Sequence, residues 1–186
     1  ALVFAFLEIE IEGKYAWSEK TQTWYRYNPK SIVNKFLGGK PLTGYHIMVF
    51  GVAILISHLP FFFGLPWNVN NEFWILAIHF AWTPLWDYLW MVFNPHYGIT
   101  EFKQNKVWWY QNSVWVVEVM PLEQLTQWGI SLIFAILANK LISQIYLLVG
   151  FILLTIISNF ALVPIYRKWY WQMRKFDDRN KTKIFH

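Results

Sequence analysis

Imidazole and carboxylate carry nearly all the acid–base and ligand chemistry open to this chain. It has no cysteine, which excludes disulfides, thiolate metal sites and cysteine nucleophiles. The candidate site residues are His46, Asp87, His96 and Glu10. Brought to one face of a bundle, they have the composition of a divalent metal site for Zn, Fe or Mn, ions that histidine and carboxylate suit without thiolate. The same groups also suit proton transfer, with His46 and Asp87 as a general acid/base pair. No HExxH, HxxxH or HxxE spacing occurs, so the ligands would come from several elements.

The stretch that must position them runs from Glu72 to His96. It is long enough to cross a bilayer, yet holds His79 and Asp87 inside an apolar run, with Pro84 between them. Hydrocarbon offers a charge nothing, so Asp87 must be paired, hydrated or functional. Pro84 removes a backbone hydrogen bond close to it, and such breaks often line cavities.

Composition sets the class. Of 186 residues, 56% are hydrophobic, 21% are aromatic and only 15% are charged. The apolar residues come in blocks, which reads as an all-α integral membrane protein with about four transmembrane helices. The expected spans are 43–63, 72–93, 121–142 and 144–166, the last two forming a tight antiparallel hairpin. A loop of nearly thirty residues separates the second span from the third. Its run VWWYQNSVWVVEVM reads as a strand-like interfacial piece or a re-entrant segment under the bundle. Three parts follow: an acidic and interfacial segment over 1–42, a transmembrane domain over 43–166 and a basic tail over 167–186. Ala1 to Leu7 are too few to cross a bilayer alone; they read as the end of a further span, a processed start or an interfacial piece. Ser31 to Gly39 reads as a short amphipathic helix lying on the membrane.

The formal net charge is +5, with seven basic residues after Tyr166 and six before Pro41. This suits anionic lipid headgroups rather than nucleic acid. The linker between the first two spans has no Lys or Arg, so the positive-inside rule puts both ends and the long loop on the cytoplasmic side. With that direction, His46 and Asp87 share an inner layer and His58 and His79 an outer one. Glu8, Glu10, Glu12, Glu118 and Glu123 reach the inner face. As a helix, the first segment puts Glu8 and Glu12 on one side and Glu10 on the other. The uncharged polar residues of the last two spans read as interhelical hydrogen-bonding groups.

Three functions fit. One is a small membrane enzyme, metal-dependent or acid/base, acting on a lipid or apolar substrate at the cytoplasmic end. The second is a non-catalytic subunit or scaffold that binds other membrane subunits or further copies of itself. The third, a haem or electron-transfer role, needs His58 and His79 to face each other. Ordinary alternatives stand beside these: Asp87 paired with a Lys, an Arg or an indole N–H, His79 with a hydroxyl, a carbonyl or an aromatic edge, and His96 serving a turn.

Overall fold

The computed structural model describes residues 1–26, 32, 40–118 and 120–176. The expected amphipathic helix over 31–39 lies outside the described residues except for Ile32, as does the tail beyond 176. The chain is mostly helical: α1 Leu2–Glu12, α2 Gly44–Phe62, α3 Val69–Phe93, α4 Leu122–Leu137, α5 Leu141–Ile157 and α6 Val163–Arg174.

Local chemistry starts and stops these helices. Thr43 caps α2 in a capping box with His46, and Asn68 caps α3 by accepting the Asn71 N–H. Asn94-Pro95 ends α3. A π-helical turn, Ser158–Leu162, joins α5 to α6, making one apolar helix of 34 residues from Leu141 to Arg174. That helix and α2 are long and apolar enough to cross a membrane. Core helices of soluble proteins share those features, but they are buried. Here only 17% of the apolar window in α2, and 6% of that in the last helix, is buried within the protein. Much of their outer faces is exposed apolar surface.

Of the four expected spans, only these two helices meet that test of length and apolarity among the described residues; α3, although 25 residues long, does not. Helix α4 has 16 residues and stops at Leu137, short of the roughly 20 that a perpendicular span needs. The last helix runs through the start of the expected basic tail, because Arg167 is used inside the fold. One guanidinium nitrogen, Nη2, donates to the Val92 and Asn94 carbonyls at 2.9 and 2.8 Å, and also to the Tyr97 carbonyl. It thus closes the C-terminal end of α3, where carbonyls lack helical partners and a cation is favoured.

Helix α3 is the centre of the molecule. Its second half, Trp86 to Phe93, supplies much of the core, with Ala5 and Ile9 of α1 and Val107, Trp109 and Tyr110 of the long loop. That loop is partly strand and partly packed into the core. It forms a two-stranded hairpin, β1 Trp115–Val116 and β2 Met120–Pro121, and it tucks Trp109 and Tyr110 under α3. Asn94 ties α1 to α3, its Nδ2 donating to the Gly13 carbonyl at 2.7 Å. Mid-bundle, Ser131 Oγ donates to the Ala77 carbonyl at 2.7 Å, and Gln144 Nε2 donates to Ser131 Oγ at 2.6 Å. Thr83 donates to Gln127, and Asn159 of the π turn donates to Tyr88 Oη at 2.6 Å. The uncharged polar residues therefore join α3 to its neighbours, as their types suggest.

Candidate functional site

A cavity of about 720 Å³ runs along α3. Each helix lines it with one stripe. Helix α3 contributes His79, Phe80, Thr83, Trp86, Asp87 and Trp90, and α2 contributes His46, Phe50, Ala53 and Ile54. These spacings of three, four, seven and eight residues are one face of a helix. Glu8 and Glu12 come from α1, and Leu122, Glu123, Thr126 and Gln127 from the start of α4. The cavity thus gathers four carboxylates: Glu8, Glu12, Asp87 and Glu123. Lys40 and His46 stand among them, and Trp17, Trp109 and Tyr110 add to the walls.

Asp87 is held from two sides. Tyr110 Oη donates to its Oδ2 at 2.6 Å, and Gln124 Nε2 donates to the same oxygen. Glu123 accepts from Ser113 Oγ. Tyr45 Oη donates to Glu8 at 3.4 Å. Glu12 is 7% exposed and accepts the Ser18 backbone N–H at 2.7 Å. Burial outweighs that hydrogen bond and pushes its carboxyl from 4.5 up to about 7. Lys40, 8% exposed, lies 4.7 Å over the Trp17 ring and 4.2 Å over the Tyr110 ring. Burial lowers the pKa of its ammonium, while the Asp87 and Glu123 carboxylates counter the shift. The Tyr110 phenol is driven well up by burial and by the charge of Asp87.

The tautomer of His46 follows from its partners. The Thr43 backbone N–H lies 3.3 Å from Nδ1, and Thr43 Oγ1 lies 2.8 Å from it. An amide N–H only donates, so Nδ1 accepts and the proton sits on Nε2. His46 is 3% exposed, and its Nε2 has no hydrogen-bond partner among the described residues. The same holds for Trp90 Nε1, Glu123 Oε2 and Gln124 Oε1. The unpartnered atoms of His46, Trp90 and Glu123 belong to residues that line the cavity, each costing about 1–3 kcal/mol.

Of the residues singled out from sequence, His46 and Asp87 line this cavity together. His96 and Glu10 do not. The His96 ring packs on Trp171 and Tyr170 of α6, with ring centroids 5.3 and 6.4 Å apart. Glu10 is exposed because α1 turns it roughly 200° away from Glu8 and Glu12. The expected metal set of His46, Asp87, His96 and Glu10 is therefore not assembled. Among the described residues no three His, Asp or Glu side chains are grouped to hold a metal ion.

The two-layer expectation also changes. Asp87 takes its hydrogen bonds from Tyr110 and Gln124 rather than from His46. His79 and Asp87 lie on one stripe, about 12 Å apart along α3, and mark two ends of one cavity. In the outer layer His58 pairs with Glu72 at 3.0 Å, while His79 Nδ1 lies 2.9 Å from Ser57 Oγ. These two histidines each bond elsewhere, which gives the haem reading no geometric support. Sequence alone does not single out Lys40, Tyr110 or Gln124: Lys40 is one of six basic residues before Pro41, Tyr110 sits in the aromatic loop and Gln124 is an uncharged polar residue of the third expected span. Only the fold reveals that all three converge on Asp87. Comparison of the chain with protein-family models, curated proteins and solved structures finds no match.

Proposed function

We propose that the protein is an acid/base enzyme of the membrane, acting on a lipid or other apolar molecule at the cytoplasmic end of its bundle. In this reading α3 and α4 lie in the bilayer with the two long apolar helices, and the Lys and Arg distribution sets the inside face. The observation that carries it is the gathering of four carboxylates, a lysine and two histidines around one aromatic-walled cavity.

Each group has a role suited to its surroundings. Glu12, pushed up to about 7, exchanges protons readily near neutral pH, as a general acid or base must. Asp87, fixed by Tyr110 and Gln124, is the complementary proton acceptor. His46 offers its Nε2–H to a substrate oxygen. The aromatic walls exclude water and strengthen these interactions. The uncovered apolar face of the last helix favours contact with lipid, with other membrane subunits or with further copies of the chain.

Proton transfer to carbon leaves a mark. Membranes holding the protein, incubated in deuterated water, should place solvent deuterium into one lipid-soluble species, and Glu12→Gln should lower the rate at least about a hundredfold. A lipid extract with neither deuterium uptake nor conversion would remove the enzymatic reading in favour of a scaffold.

A further inference from the structure

We infer that the cavity takes an uncharged, oxygen-bearing lipid, an alcohol or carbonyl compound, with its oxygen beside His46 and Trp90 and its apolar body leaving between α2 and α4. This rests on the site proposed above but not on any reaction there.

Two observations define the polar end. His46 Nε2–H and Trp90 Nε1–H are buried donors without partners among the described residues, and both residues line the cavity. A ligand oxygen that accepts from them removes a standing cost of about 1–3 kcal/mol per donor. Charge then selects among oxygen ligands. Even with Glu12 holding its proton up to about pH 7, Asp87 and Glu123 offset the one lysine, Lys40, and leave no cation for an anionic end such as a fatty acid or a phosphate. A cationic end could meet the carboxylates but presents no acceptor to the two donors. The ammonium seat over Trp17 and Tyr110 is already held by Lys40. A neutral oxygen satisfies both conditions.

The apolar end follows from the shape. From Trp90 to His79 the lining stripe of α3 extends about 16 Å. Its rim carries Ile54 of α2, 50% exposed, and Leu122 of α4, 44% exposed. The exposed surface of α2 here is apolar, so the opening faces the same medium that covers the span. A chain lying there passes from lipid to the carboxylates without crossing water.

The test is saturable quenching of tryptophan fluorescence in the purified protein by four probes of one length: omega-bromododecanol, omega-bromododecanoate, omega-bromododecylammonium and bromododecane. The alcohol should bind at least about tenfold tighter than each of the others, the value of about one hydrogen bond. Ile54→Phe and Leu122→Phe, which narrow the rim from either side, should each weaken it several-fold. Equal or tighter binding of the acid, the ammonium or the bare alkane overturns the inference, whether or not the variants fold. Alcohol-selective binding without deuterium uptake would sustain this inference while removing the enzymatic role. Deuterium uptake without alcohol selectivity would do the reverse.

Discussion

Removing the Tyr110 hydroxyl tests the network around Asp87. Tyr110→Phe keeps the ring that packs in the core and faces Lys40, and deletes only the 2.6 Å bond to Asp87 Oδ2. A hydrogen bond to a charged group contributes about 1.5–3 kcal/mol, so the variant should lose about 2 kcal/mol of stability. Gln124 still donates to the same oxygen and limits the damage. Gln124→Leu alone should cost a similar amount. Because both donors meet one acceptor atom, the double variant should depart from the sum by at least about 0.5 kcal/mol. Unfolding in mixed micelles, followed by tryptophan fluorescence, measures all three. A loss below about 0.5 kcal/mol for Tyr110→Phe, or strict additivity, would refute the shared-acceptor arrangement.

Other outcomes follow from the same structure. Folded Glu12 keeps its proton up to about pH 7, whereas an ordinary glutamate releases it near 4.5, so between those values the folded state holds more protons. Stability should therefore fall as pH rises through that window, by on the order of 3 kcal/mol, and Glu12→Gln should flatten the slope; a rising slope would contradict the burial of Glu12. Arg167→Met should cost about 2–4 kcal/mol and speed hydrogen exchange over 94–97, because three carbonyls at the end of α3 lose their donor. Gln144→Leu should cost only about 1 kcal/mol in micelle unfolding, the usual net size of a hydrogen bond between side chains.

Much of the fold was legible from apolar blocks and punctuation. Thr43, Asn68 and Asn94-Pro95 mark helix ends by local rules, and α2 and α3 lie close to their expected ranges. The face shared by Glu8 and Glu12 followed from helical period alone. The tail was less legible because Arg167 looks like any interfacial cation until the end of α3 is beside it. The site was half legible. His46 and Asp87 stood out as polar groups at one depth, but depth does not say which side chains meet. Asp87 found an aromatic hydroxyl from a distant loop and a glutamine from the next helix. His96 and Glu10 shared the depth but faced away, one toward α6 and one outward.

The central claim is that the cavity around Asp87 moves protons on a lipid-soluble molecule. The most direct measurement is deuterium incorporation from deuterated water into the lipid extract, comparing the unaltered protein, Asp87→Asn and His58→Gln. His58 pairs with Glu72 and does not line the cavity. Equal incorporation is expected for the unaltered protein and His58→Gln, with a loss of at least about a hundredfold for folded Asp87→Asn. Incorporation by Asp87→Asn at the unaltered rate would contradict it.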